Sequence, residues 1–284
     1  MFFQIKNLSL HLFWILAALL ITACTTVRTT SSGLVGVDRE QSMAVSAQSL
    51  NNEASSSYRS VLQTASNKKL LNQNVSQVVR VRSISSRIIA VTGSFRPDAP
   101  GWQWEVNVVT SQDINAWCMP GGKIVVYTGL LEKIKPTDDE LAQVIAHEIA
   151  HALREHGREK ASQSAGVNMA ATIGGVLLGA LTGVNSGLGQ SLISGAGDLA
   201  FMRPNSRVME SEADQIGIEL AARAGYDPNA AVTLWEKMLK QTQGESPEWL
   251  STHPASERRI ADLRELAKKV YPLYLNAKKP TRGL

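Results

Sequence analysis

The stretch His147-Glu148-Ile149-Ala150-His151 decides the reading of this chain. The sequence holds five histidines, and three of them fall between positions 147 and 156. On a helix, residues four apart share a face, so His147 and His151 project side by side. Two imidazoles at that spacing can grip one metal ion. Glu148, next to the first of them, can reach a metal-bound water and take its proton. Pro136-Thr137-Asp138-Asp139-Glu140 opens the helix: Thr137 and Glu140 fit a capping box, and the acids fall in the positively polarised first turn. The pattern predicts a helix to His156, stopped by Gly157 and about 28 Å long. Leu141, Ile145, Ile149 and Ala152 share a face turned to the core, and the histidines look into a cleft.

A hydrolytic zinc site needs three protein ligands and an open position. One large class takes its third ligand from a histidine ten residues after the first. Here Gly157 holds that place and His156 is one residue out of register, which excludes the class. A downstream glutamate is the other solution. Glu210-Ser211-Glu212-Ala213-Asp214, on a helix predicted over 206–224, offers Glu210, with Asp214 one turn on and on the same face. Taken alone, these acids are a solvated surface. Beside a two-histidine motif that lacks a ligand, Glu210 becomes the third ligand and Asp214 the residue that holds a ligand imidazole by its far nitrogen. His156 is expected at the helix C-terminus rather than on metal.

Upstream, residues 93–101 form a loop, and Trp102 to Thr110 alternates as a strand. Met119-Pro120-Gly121-Gly122 is a tight turn before a β-branched strand over Lys123 to Tyr127, so a small sheet precedes the histidine motif. Residues 38–92 read as helices broken near Asn72 to Asn74. Downstream, 162–203 is rich in glycine. Its bland reading is a lid or loop over the cleft, and its sharper one is a segment touching membrane. At the N-terminus, Lys6 and the apolar run 12–20 lead into Ile21-Thr22-Ala23-Cys24, the pattern of a lipoprotein signal cleaved before a cysteine that takes lipid. Thr25, rather than Asp, after the cysteine fits sorting to the outer membrane of a Gram-negative bacterium. Cys118 is then left without a partner, so no disulfide framework exists. The net charge of +4 is small and dispersed, which argues against nucleic acid as a partner. The segments are 1–23 signal peptide, 24–37 tether, 38–72 N-terminal helical segment, 73–272 catalytic domain and 273–284 basic tail.

The His-Glu-Ile-Ala-His motif together with Ser206-Arg207-Val208-Met209-Glu210-Ser211-Glu212-Ala213-Asp214 resembles the metallopeptidase family of the HtpX heat-shock protease and the CAAX prenyl protease, closest to its periplasmic lipoprotein branch (BepA-like and LoiP-like). Asn115 to Gly122, His156-Gly157, and Thr252-His253-Pro254 with Arg259 also fit. The resemblance implies an α+β, mostly helical zincin-like (gluzincin) fold with a small, mainly antiparallel sheet, and one zinc ion per chain. It implies a zinc endopeptidase with Glu148 as general base, acting on unfolded or misassembled envelope polypeptides from the periplasmic side of the outer membrane. Asn115 and Ala116 then belong to an edge strand that binds substrate, or to a simple turn. His253 fills a fourth zinc position, stabilises an oxyanion, or merely starts a helix. The competing reading is a chaperone-like assembly factor for outer-membrane proteins, with proteolysis secondary.

Overall fold

The computed structural model describes residues 25–165, 205–241, 248–254 and 256–280. Cys24 and residues 166–203 of the glycine-rich stretch lie outside them.

The labels β1–β5 and α1–α8 follow chain order. Two short strands, β1 (Thr25–Val27) and β2 (Gln41–Met43), pair antiparallel. Helices α1 (Ala47–Asn67) and α2 (Val75–Ile89) follow, capped by Ser46 and Asn74. The break between them is a true turn: Asn72 is left-handed (φ 53°), and Leu71 bridges to Val109. The sheet then forms from β3 (Glu105–Val109), β4 (Ala116–Met119) and β5 (Lys123–Tyr127) in the order β3-β5-β4. β5 runs parallel to β3 and antiparallel to β4. As the central strand it is buried on both faces, which its β-branched run suits. Ile124 and Val126 face the main core with α2, while Val125 faces a second cluster with Tyr58 of α1 and Trp117 of β4.

Helix α3 (Asp138–Leu153) starts at a full capping box. Thr137 Oγ1 accepts from Glu140 N at 3.2 Å, and Glu140 Oε2 accepts from Thr137 N at 2.8 Å. Glu140 also accepts from Thr233 at 2.8 Å and Lys237 at 2.6 Å. Every residue from Glu140 to Leu153 is buried, the histidine face included, so α3 is enclosed rather than amphipathic. It ends at Leu153, three residues before the expected stop. Arg154 and Glu155 make a turn, with Glu155 left-handed (φ 52°), and the chain restarts as helix α4 over 156–165. At this turn Arg154 is fully buried and directs its guanidinium to Glu212 (3.1 Å) and the Arg39 carbonyl (3.0 Å). The expected lid over 162–203 therefore begins as helix at 162–165.

Helices α5 (Arg207–Arg223), α6 (Ala230–Gln241), α7 (Glu248–Thr252) and α8 (Glu257–Asn276) complete the described chain. α5 lies directly across α3. A Cβ on Gly217 would stand 2.9 Å from the His147 amide nitrogen and 3.0 Å from its Cα, so only glycine permits this approach. Among the described residues, no helix is long and apolar enough to cross a membrane.

Three segment boundaries change. The stretch 25–37, expected as a tether, is packed: Val35 and Val37 are buried in the main core. Val35 N donates to Glu219 Oε2 at 2.9 Å, and Ser31 N donates to the Phe95 carbonyl at 2.8 Å. Its serines, threonines and glycines resemble a linker in composition, yet two valines and a set of long-range hydrogen bonds hold it down. The 38–72 segment becomes helical only at Ala47, because 41–43 is strand. The tail expected from 273 begins after Asn276, since α8 continues to that residue.

Two outcomes test this architecture. Gly217→Ala should destabilise the fold by about 1–3 kcal/mol through overpacking against backbone, and should also weaken metal uptake; a variant with wild-type stability and metal content would contradict the close approach. Thr137→Ala should cost about 1 kcal/mol, read as a lower urea midpoint at unchanged slope. Burial raises the Glu140 carboxyl, but Lys237, the Thr137 amide and Thr233 together hold it below its ordinary value. Its contribution is thus complete above the unfolded value of about 4.3 and fades as pH falls through the lower folded value. Glu140→Gln should flatten that acid limb in urea titrations.

Candidate active site

Four side chains from three separate elements meet at one point. His147 and His151 come from α3, Glu210 from the first turn of α5, and His253 from the end of α7. One ligand atom of each lies within 4.8 Å of all the others, and all four residues are buried. His147 Nε2 is 3.1 Å from His151 Nε2 and 3.2 Å from His253 Nδ1. Glu210 approaches His147 Nε2 at 3.4 Å, His151 Nε2 at 3.3 Å and His253 Nδ1 at 2.9 Å. Asn205 donates to Glu210 Oε1 at 2.8 Å.

The set fits a divalent metal ion. Three imidazoles and a carboxylate converge with lone pairs toward one another, an arrangement that a cation satisfies and water-free packing does not. Two buried atoms of the cluster, His147 Nδ1 and Glu210 Oε2, have no aligned hydrogen bond. Asp214 Oδ1 and Arg259 Nη1 stand close to them, at 3.1 and 2.9 Å, but off the hydrogen-bond direction. At those separations both remain close charged contacts.

The surroundings set the charges. Burial alone would raise Glu210, but His253, His147 and His151 more than offset it and hold the carboxyl well below its ordinary range. Burial pushes His151 well down. It also pulls on His147, where hydrogen bonding to Asp214 and Glu210 wins and lifts the imidazole to about 9. A proton and a metal compete for such a site. Asp214 is in turn gripped by Arg259, whose Nη2 donates to Oδ1 at 2.7 Å while Nε donates to Oδ2. Arg259 lies over the Trp235 ring at 3.9 Å.

Glu148 points to the same place from the other side. Trp249 Nε1 donates to Glu148 Oε1 at 2.9 Å, and His253 Nε2 lies 3.4 Å from that oxygen. Trp249 is buried between Trp235 and His253, each with ring centroids 4.9 Å away. Glu148, His151 and His253 open onto a cleft of about 450 Å³, walled on the far side by Asn115, Ala116 and Cys118. Burial, then Glu148, push the Cys118 thiol well up, so it stays protonated. β4 is the outer strand of the sheet. Tyr127 N donates to the Asn115 carbonyl at 3.0 Å, so 115, 117 and 119 face β5, while Ala116 and Cys118 turn their backbone groups to the cleft side. The Ala116 amide is already taken by Asn115 Oδ1 at 2.9 Å.

The sequence did not single out Trp249, which stands in a short helix with no motif of its own. His156 is also placed differently from expectation. It turns inward, with Nδ1 2.8 Å from His151 Nδ1 and Nε2 3.0 Å from Glu212 Oε2. Glu212 lies two residues from Glu210, on the opposite side of α5, where helical spacing suggests solvent. It is buried all the same, because α5 is covered on both sides. Burial would raise it, but His156, Arg39 and Arg154 hold it far below the usual carboxylate range.

Known sequences resemble part of this chain. The mitochondrial metalloendopeptidase OMA1 of Arabidopsis thaliana is 40% identical over 176 residues, covering 60% of this chain and 34% of that protein. The metalloendopeptidase OMA1, mitochondrial, of Bos taurus is 36% identical over 207 residues, 69% of this chain and 38% of the relative. The beta-barrel assembly-enhancing protease of Escherichia coli (strain K12) is 29% identical over 201 residues, 69% and 40% respectively. The chain thus spans between about a third and a half of the length of the relatives it matches. The profile of peptidase family M48 matches residues 76–267, a span that holds all four residues of the cluster together with Glu148, and the chain belongs to peptidase family M48.

Proposed function

We propose that this chain is a zinc-dependent endopeptidase of the bacterial cell envelope that cleaves misfolded or misassembled envelope proteins. The observation that carries the reading is Glu148, a carboxylate held in the cleft wall by Trp249 and directed at a buried cluster of His147, His151 and Glu210. Two imidazoles and one carboxylate suit zinc, which when bound supplies Lewis-acid polarisation and a water of lowered pKa.

The chain's own residues do the rest. Glu148 is the general base and returns the proton to the leaving amine. Because Trp249 engages Oε1, Oε2 is the atom that carries the proton. Asp214, locked by Arg259, keeps the His147 ring turned with Nε2 toward the cluster. Substrate lies along β4 as an added strand, pairing with the outward backbone groups at Cys118 and the Ala116 carbonyl. Asn115 contributes by fixing the Ala116 amide rather than by pairing itself. His253, between Glu210 and Glu148, would join His147, His151 and Glu210 in holding the metal.

Placement in the envelope rests on the N-terminal sequence. Lys6, the apolar run 12–20 and Ile21-Thr22-Ala23-Cys24 form the address, with lipid on Cys24 tying the body to the periplasmic face of the outer membrane. The name of the Escherichia coli relative supports a link to β-barrel assembly, whereas the OMA1 names carry a mitochondrial address.

The full-length protein should cleave casein, lose that activity with a chelator and recover it with zinc. Glu148→Gln should keep its metal but lose about 10²–10⁴-fold in kcat. Metal-free protein with full activity would overturn the reading. Envelope-stress rescue that survives Glu148→Gln would instead support an assembly factor that works without cleavage.

A further inference from the structure

We infer that His156 is a positioning residue: its ring, anchored by Glu212, accepts the Nδ1 proton of His151 and so fixes the tautomer that leaves His151 Nε2 free to bind metal. This rests on the reading of His151 as a metal ligand.

The argument is one of donors and acceptors. Glu212 is ionised and can only accept. It receives Arg154 Nη2 at 3.1 Å, Arg39 Nε at 2.7 Å and His156 Nε2 at 3.0 Å. His156 therefore carries its hydrogen on Nε2. In a neutral ring that leaves Nδ1 with a lone pair, and Nδ1 faces His151 Nδ1 at 2.8 Å. Arg154 and Arg39 already balance the carboxylates of Glu212 and Glu159, so a second proton on His156 would be an uncompensated buried charge, and of the two facing nitrogens it is His151 Nδ1 that carries the hydrogen. A neutral His151 with hydrogen on Nδ1 presents its lone pair at Nε2, the atom 3.1 Å from His147 Nε2 and 3.3 Å from Glu210. The opposite tautomer would set two lone pairs against each other at His156 and point a hydrogen into the metal cluster.

The anchor has little freedom. Glu212, His156 and Arg154 are buried, and Arg39 also bridges to Glu159 Oε1 at 2.6 Å. Glu159 accepts from Gln41 Nε2 at 2.8 Å, so the β1–β2 segment braces the far end of the chain of contacts. The two α3 ligands are thus held by different means: His147 by a carboxylate directly, His151 by a carboxylate acting through a second imidazole.

The test uses histidine-labelled full-length protein, metal-free, at neutral pH, with long-range 1H–15N correlations reporting each ring's tautomer. Wild type should show His151 protonated on Nδ1 and His156 on Nε2. His156→Phe should lose about 10–100-fold in zinc affinity by chelator competition and should release His151 into a mixture of tautomers. His156→Asn, which keeps an acceptor near the place of Nδ1, should restore most of the affinity. Hydrogen on His151 Nε2 in metal-free wild type overturns the inference even if no variant folds. So does wild-type zinc affinity in His156→Phe, or an equal loss in His156→Asn. If wild type binds no zinc at all, the metal reading itself fails, and the tautomer spectrum still decides the hydrogen-bond direction.

Discussion

The close crossing of α3 and α5 is the constraint on which the site depends. Gly217 lets the α5 backbone come to van der Waals contact with the backbone at His147. At that separation Glu210, near the start of α5, reaches both histidines of α3, and Asp214 reaches the outer nitrogen of His147. A side chain at 217 would push the helices apart by about the size of a methyl group, which is more than the tolerance of a metal-ligand set. The two halves of the site, some sixty residues apart in sequence, are therefore aligned by an absence of side chain rather than by an attraction.

The second requirement is electrostatic. Burying imidazoles, carboxylates and guanidinium groups together in one region costs heavily unless each charge has a partner. The structure meets this with two separate clamps: Arg259 holds Asp214 and stands beside Glu210, while Arg154 and Arg39 hold Glu212. Each clamp lies behind one histidine of the pair. At the early end of α3, Arg154 and His156 both turn inward onto Glu212. Trp249 on the short α7 and His253 just past its end, one turn on, cover the remaining side and link Glu148 to the histidine cluster.

Several features were legible in the residues alone. The capping box at Thr137, the shared face of His147 and His151, the need for a ligand beyond them and the spacing of Glu210 and Asp214 follow from helical geometry and metal stoichiometry. The small sheet was readable from alternation and the Gly121-Gly122 turn, though not the parallel pairing of β3 with β5. What composition concealed was packing. Residues 25–37 look like a linker but carry Val35 and Val37 into the core. Glu212 looks like solvated surface but is enclosed, because α5 is covered on the side that its sequence leaves polar.

The sequence by itself determined the local chemistry: which groups could share a helix face, where that helix begins, and that His156 could not serve as the third ligand of a ten-residue motif. These are properties of spacing, and spacing along a helix is fixed by backbone geometry. Only the tertiary structure decided which carboxylate serves which imidazole, that His253 joins the cluster, and that His156 stands behind His151 instead of at a helix terminus. Those choices depend on how α3, α5 and α7 cross, which is set by side-chain volume at contacts such as Gly217. They depend equally on the cost of leaving any buried charge without a partner, a cost counted over the whole interior and not along the chain.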